Sequence, residues 1–324
     1  MKKKMIAIGE ALIDFIPGQT GRALKDVEHF APKIGGGPTN AAGAFARLGG
    51  HAALLTKVGN DPFGGKVVSE LDAYGVDVSH VVRTDEANTT LAFVSLMADG
   101  QREFSFYRNP GAEMLYTADE VPEGVFADAF CLHFTSVSLG DYPMKEAHTR
   151  AISYIKGAGG IVSFDPNVRL SLWPDGAALR RRILEFVPVA HIVKMSDEEL
   201  EFVTGKARIE DALPSLFTGD VQLVLFTKGA AGAAAFTRTA SAECASKKVA
   251  AIDTTGAGDA FIGSFLFKLA EMGVGIGALG TLEGPALSEL LGFANDYCGY
   301  SVQRNGAIAS YATMEEFKHY LSSF

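Results

Sequence analysis

The feature that most constrains this chain is an alternation of two patterns. Short runs of β-branched and other apolar residues are separated by segments whose apolar residues recur at helical spacing. Met5–Ile8, Ala52–Val58, Phe130–Phe134, Ile161–Phe164, His191–Lys194 and Val221–Thr227 read as strands. Between them, Asn40–Leu48 places Ala41, Ala44, Phe45 and Leu48 at i, i+3, i+4 and i+7, and Gly64–Tyr74 is helical again. Repeated βα units predict an α/β fold, with a mainly parallel central sheet flanked by helices on both faces.

One region departs from that rhythm. Thr89–Met97 and Glu103–Tyr107 are both β-rich and are joined through Asp99-Gly100, a strong hairpin-turn signal. With no helix between them, they predict a small sheet projecting from the main body, together with residues around Leu12–Arg22. The chain has no low-complexity linker and no internal repeat. The expectation is therefore one domain over residues 1–324, with a β-sheet lid formed by about 12–33 and 89–110.

Charge and cysteine content narrow the partners. The 29 basic and 38 acidic residues leave a net charge of −9, which disfavours non-specific binding to nucleic acid or an anionic membrane. Three scattered cysteines, Cys131, Cys244 and Cys298, supply neither a disulfide framework nor zinc-ligand spacing. The lysines at positions 2–4 precede an apolar stretch, but Glu10 and Asp14 interrupt it, so it reads as a buried strand rather than a signal segment. No run approaches the roughly 18 apolar residues of a membrane span. A cytoplasmic chain with small-molecule partners is expected.

Two glycine-rich segments carry the chemistry. In Ile252-Asp253-Thr254-Thr255-Gly256-Ala257-Gly258-Asp259-Ala260-Phe261, a loop of small residues runs straight into a helix. Backbone N–H groups at such a helix start can hold an anion, and Gly256 and Gly258 let the backbone approach a phosphate. Asp259 falls in the first turn, where a carboxylate can take a proton from an attacking hydroxyl; an acidic residue is also favourable there for purely local reasons. In Gly35-Gly36-Gly37-Pro38-Thr39-Asn40-Ala41-Ala42, Asn40 offers both a donor and an acceptor to a ligand, although the segment also fits a plain helix entrance.

Together these strings resemble the two signature motifs of the ribokinase-like (pfkB) carbohydrate kinases, most of all the fructokinases, and the likeness runs through nearly the whole chain. The resemblance implies phosphoryl transfer from ATP to a sugar hydroxyl. Asp259 would act as base, and the N–H groups of Gly256, Ala257 and Gly258 would stabilise the moving group, with Mg²⁺ bridging the phosphates. It implies sugar contacts from Asp14, Gly36, Gly37, Asn40 and Arg108.

Arg169, after Asp165-Pro166-Asn167, has a planar fork suited to phosphate oxygens, yet also reads as a surface loop residue. Ser196-Asp197-Glu198-Glu199 is a helix capping box; the resemblance adds a nucleotide-end role for Glu199. It also implies nucleotide contacts from Lys194, Thr227, Gly229, Gly232 and Asn295. Asp253 and the Thr255 carbonyl would form half of a monovalent cation (K⁺) site, with Ser301, Arg304, Gly306 and Ser310 supplying the other half.

The run Phe104-Ser105-Phe106-Tyr107-Arg108-Asn109-Pro110-Gly111-Ala112-Glu113 looks most like fructokinases, but Glu113 replaces the aspartate those enzymes carry. Fructose is the expected substrate. 2-Keto-3-deoxygluconate is the alternative, because Arg108 could meet its carboxylate. A catalytically silent sugar sensor is the non-enzyme alternative, and a homodimer paired through lid strands is a further expectation. A dinucleotide fold is excluded by the absence of Gly-x-Gly-x-x-Gly after the first strand. A P-loop is excluded because Lys66 in Gly59–Lys66 is displaced by one residue and followed by valine.

Overall fold

The computed structural model describes residues 4–19, 21–96 and 102–323. The strands are β1 (Lys4–Ile8), β2 (Leu12–Pro17), β3 (Phe30–Gly35), β4 (His51–Gly59), β5 (Val76–Asp77), β6 (Val81–Thr84) and β7 (Leu91–Leu96). They continue with β8 (Arg102–Tyr107), β9 (Ala129–Thr135), β10 (Ile161–Asp165), β11 (Ile192–Ser196), β12 (Leu223–Thr227), β13 (Ala233–Phe236) and β14 (Ser241–Cys244). The Asp99-Gly100 turn lies outside the described residues.

The main sheet runs β14-β13-β12-β11-β10-β9-β1-β4-β5, with β6 also paired to β4. From β12 through β5 every pairing is parallel, as the βα alternation predicts. The antiparallel edge β12-β13-β14 was not anticipated, because Ala233–Phe236 and Ser241–Cys244 are short and mostly small residues without a β-branched signature.

Strand periodicity sorts the side chains into two layers. Met5 and Ala7 enter one core with the helices Gly37–Arg47, Ala257–Glu271 and Gly284–Ser301. Ile6 and Ile8 enter the other, with Pro143–Gly157, Gly176–Phe186, Asp197–Thr204 and Ile209–Leu216. Among the described residues, no helix is long and apolar enough to cross a membrane.

The four strands outside this series form the projecting sheet, in the order β3-β2-β7-β8. One face carries an aromatic cluster in which Phe15 stacks on Phe93 at 4.5 Å and meets Phe63 of the body edge-on at 5.6 Å. The alternate residues Leu12 and Asp14 line the main cavity. The sheet is thus a lid, apolar on one side and chemically equipped on the other.

Strand order locates the cavity. The chain passes from β1 to its neighbour β4 on one side and later to β9 on the other, so the connections diverge and leave a crevice at the carboxyl ends of these strands. Two helices begin at that crevice, Gly37–Arg47 and Ala257–Glu271, and they pack with almost no space between them. A Cβ at Gly263 would lie 2.5 Å from the Ala41 carbonyl oxygen and 2.8 Å from the Ala44 Cβ. Gly263→Ala should therefore destabilise the fold by about 1–3 kcal/mol through overpacking, measured as a lower urea midpoint at unchanged far-UV circular dichroism. An unshifted midpoint would mean that the helices part without cost.

Candidate active site

The crevice holds a cavity of about 410 Å³. Its lid-side wall comes from Leu12, Asp14 and Phe106, and its opposite wall from the Thr254–Asp259 segment. Between them, Gly36, Gly37 and Asn40 enter from the start of the helix Gly37–Arg47. Gly36 has φ +111°, and any Cβ there would lie 2.3 Å from the Glu10 carbonyl oxygen, so the turn accepts only glycine.

Glu10 secures that turn. Its carboxylate is 2% exposed and accepts from the Gly37 N–H at 2.9 Å and the Ser138 hydroxyl at 2.7 Å, while its carbonyl accepts from the Thr39 hydroxyl. Burial raises the Glu10 carboxyl above the usual carboxylate range, against the pull of these donors and of Arg108. Beyond the turn, the Asn40 amide donates to Asp259 Oδ2 at 2.8 Å, and its own Oδ1 is buried with no hydrogen-bond partner among the described residues. A buried acceptor without a donor, beside a carboxylate, is suited to a ligand hydroxyl.

Asp259 lies in the first turn of its helix. Burial pushes its carboxyl up to about 7; the Asn40 amide pulls it down, Asp165 adds to the rise, and Lys194 and Arg169 oppose it. A group with that value is matched to proton transfer near neutral pH.

The helix start itself is held from behind. Gly256 takes φ +73°, and the Tyr311 hydroxyl donates to its carbonyl at 2.7 Å. Lys194 lies directly beneath, since a Cβ on Gly258 would be 3.1 Å from its ammonium. The ammonium donates to Asp165 at 2.9 Å. Burial works against its charge, but Asp165 and Glu199 outweigh it and hold the lysine cationic.

Glu199 does more than cap its helix. It accepts from the Ser196 N–H, as a capping box requires, and also from Val168 N–H at 2.7 Å across the chain. It thereby ties down the loop in which Asn167 adopts φ +42° and from which Arg169, an exposed residue, enters the cavity lining.

Some expected residues fall elsewhere. Arg108 does not line the cavity. Its guanidinium is turned behind the wall, onto Glu113 at 2.6 Å, the Val137 carbonyl and the Tyr142 hydroxyl. Thr227, Gly229, Gly232 and Asn295 form a second group, also outside the lining. There Asn295 donates to the Cys244 carbonyl at 2.9 Å, and a Cβ on Gly232 would collide with that same oxygen.

At the far side of the Thr254–Asp259 segment two loops are laced together. The Asp253 carboxylate accepts from Thr255 N–H and Gly306 N–H, each at 2.9 Å. Ser301 and Ser310 donate to local carbonyls, and Arg304 stacks on Tyr300 at 3.5 Å. This donor set is all oxygen, with one carboxylate, and it fits a weakly hydrated monovalent cation better than a transition metal. Among the described residues no cluster of three or more His, Cys, Asp or Glu side chains is arranged to hold a metal ion. A divalent ion at this site would therefore take most of its ligands from phosphate and water, as Mg²⁺ commonly does.

Several lining residues escaped the sequence reading of the site: Glu10, Asp165, Asn167 and Glu198. Glu10 had left a signal, a charge at the end of an apolar strand. Tyr311, behind Gly256, had left none.

A parallel sheet with a projecting lid, an anion-accepting helix start and a buried carboxyl beside it define a phosphotransferase with an alcohol acceptor. The model of the pfkB family of carbohydrate kinases matches residues 2–314, and the chain belongs to that family. It is 40% identical over 316 residues to fructokinase-1 of Zea mays, covering 97% of this chain and 96% of that one. A crystal structure of a Xylella fastidiosa fructokinase with bound ATP superposes with TM-score 0.91 at 34% identity, covering 100% and 99% of the two chains. A Vibrio cholerae O395 fructokinase in its fructose, ADP and calcium ion bound form gives TM-score 0.84 at 30% identity, covering 99% of each.

The electrostatics of Asp259 generate a pH prediction. If Asp259 serves as a base, it works only when ionised, so log kcat/KM should climb with slope one up to about pH 7 and then level off. Asn40→Ala removes the donor that stabilises the carboxylate and should move the limb to higher pH. A limb that stays in place, or moves to lower pH, would separate Asn40 from the base.

Proposed function

We propose that this chain is an ATP-dependent fructokinase, transferring the γ-phosphoryl group of ATP to a hydroxyl of fructose with Asp259 as the base. The observation that carries the reading is the Asn40–Asp259 pair. A buried acceptor and a carboxyl raised to about 7 stand side by side at the mouth of an anion-accepting helix start. Of two neighbouring sugar hydroxyls placed there, one would donate a hydrogen bond to Asn40 Oδ1 and the other would lose its proton to Asp259.

The cavity has two electrical ends. Asp14 and Glu10 belong to the lid side, and the nearest buried cation, Arg108, is already held by Glu113. Lys194, Arg169 and the N–H groups of Gly256, Ala257 and Gly258 belong to the other. An acid sugar would bring its carboxylate against Asp14 and Glu10 with no uncommitted cation among the described lining residues of that end. A neutral ketose fits without that conflict, which favours fructose over 2-keto-3-deoxygluconate.

In the transfer, Gly36, Gly37 and Asn40 hold the sugar, and Asp14 accepts from its hydroxyls. Asp259 takes the proton from the attacking oxygen, while the N–H groups of Gly256 and Gly258, with Arg169, meet the charge that develops on the moving group. The Ala257 N–H, which donates to the Thr254 carbonyl at 3.2 Å, would have to exchange that contact to join them. Lys194 sits below the same point, and Glu199 keeps the Arg169 loop in place. Thr227, Gly229, Gly232 and Asn295 flank the nucleotide away from the transfer point.

Glu198 and Glu199, which line the cavity, would be the carboxylates available to Mg²⁺, which would supply positive charge to the phosphates. Asp253, the Thr255 carbonyl and the 301–310 loop would hold K⁺, which would supply a fixed positive charge. Closure of the lid sheet excludes water from the reaction. Its outer strands β3 and β8 offer the edges through which a second copy would pair.

The test is ADP formation with fructose, ribose, glucose, adenosine and 2-keto-3-deoxygluconate, with Mg²⁺ and K⁺ present. Turnover should be strongest on fructose, and turnover on the acid sugar alone would overturn the choice of substrate. Asp259→Asn should bind fructose normally but lose about 10²–10⁴-fold in kcat; near-normal turnover would remove Asp259 from its role. Replacing K⁺ with tetramethylammonium should lower activity at constant ionic strength, and indifference to the swap would refute the monovalent site.

A further inference from the structure

Among the described residues the mechanism leaves a buried ion pair at the lid roots unused. Glu113 is fully buried and Arg108 nearly so, and Arg108 Nε donates to Glu113 at 2.6 Å. The position of this pair in the fold is informative. Thr90 immediately precedes lid strand β7, and Arg108 immediately follows lid strand β8. Both donate to the same carboxylate, Thr90 through its hydroxyl at 2.9 Å to each oxygen. Glu113 therefore grips both roots of the lid hairpin.

The contacts continue into the body. Both Arg108 Nη groups donate to the Val137 carbonyl at 3.3 Å, and Nη2 also donates to the Tyr142 hydroxyl, which donates in turn to Val137. The next residue, Ser138, donates to Glu10, and Glu10 accepts from the Gly37 N–H that begins the helix carrying Asn40. An unbroken run of buried polar contacts thus leads from the lid roots to the sugar-side turn.

We propose that Glu113 is a positioning residue of this kinase: by clamping the lid roots to Arg108, it sets, through Val137-Ser138 and Glu10, the Gly36–Asn40 turn that holds the sugar against Asp259. Stability alone is a poor explanation of such a pair, because buried ion pairs are often replaceable by apolar residues at no net cost, whereas a defined register is what they supply best. A glutamate suits this duty. A Cβ on Gly111 would lie within 3 Å of the Thr90 hydroxyl and of both Glu113 carboxylate oxygens, so the carboxylate sits directly beneath the backbone of that loop.

The inference rests on the sugar-kinase reading for its kinetic consequence but not for its structural one, so two measurements separate them. In Thr90→Val, a mild change that deletes one donor, and in Glu113→Gln, amide hydrogen exchange should quicken in residues 91–96 and 102–107. It should quicken as well in residues 36–40, on the far side of the relay. Ser138→Ala should quicken exchange in residues 36–40 while leaving the lid strands as in the wild type.

In the kinetic arm, Thr90→Val and Glu113→Gln should raise KM for fructose about tenfold while KM for ATP stays within about twofold. Should Glu113→Gln fail to fold, Thr90→Val decides alone. Exchange changes confined to the lid roots overturn the proposal. So does a lowered Tm with an unchanged ratio of the two KM values, the pattern of a merely structural pair. If the wild-type protein turned over no sugar, the kinase reading would fall while the exchange experiment still judged the relay.

Discussion

The hydrogen bond between Asn40 and Asp259 joins residues 219 positions apart, and the site depends on it. It exists because two helix starts converge at one end of the sheet, and they converge because Gly263 lets the second helix lie against the backbone of the first. One helix brings Gly37 and Asn40 to the cavity, and the other brings Asp259 and the glycine-rich helix start. A methyl group at a position far from any ligand is therefore felt at the reacting atoms, because close-packed interiors transmit displacements rather than absorb them.

Electrostatics then divides the cavity. Lys194 is shared by Asp165, Glu199 and Asp259, which lets one buried cation offset three carboxylates and still face the helix start. Among the described lining residues the two cations, Lys194 and Arg169, stand at the helix-start end, and none stands beside Glu10 and Asp14 at the lid end. Arg108 would have blurred that division had it entered the cavity, but Glu113 withholds it. Glu113 thus bears on which charges face the cavity as well as on how the lid is rooted.

What was legible in the sequence was what is contiguous. The βα alternation foretold the parallel sheet, and the Gly36–Asn40 and Gly256–Asp259 segments read correctly as helix entrances because loop glycines and first-turn residues are local signals. Residues whose place depends on partners distant in sequence were not legible. Arg108 read as a ligand contact because nothing in the sequence orients a guanidinium: its ion-pair partner Glu113 is only five residues on, but Val137 and Tyr142, which complete its hydrogen bonds, lie about 30 residues on. Tyr311 holds the Gly256 turn from 55 residues away, with no pattern to announce it. The β13–β14 edge was missed for a different reason: its alanines carry little strand preference and are placed by pairing with β12.

The same burial that raises the Asp259 carboxyl also sets a cost on the folded state. A carboxyl raised from 3.8 to about 7 holds its proton more tightly in the fold than in the unfolded chain. Its contribution is therefore complete below about pH 4 and is lost as pH rises through 7, the reverse of a salt-bridged aspartate. The penalty at pH 8 is at most about 4 kcal/mol, and less in practice, since Asp259 keeps one side open to the cavity. That sum is comparable to the net stability of many domains. The fold bears it through the two apolar cores, which lie on the faces of the sheet, while Asp165, Lys194, Glu199 and Asp259 gather at the crevice between them. Keeping the cores apart from the crevice is what allows an unfavourable carboxyl to be held there.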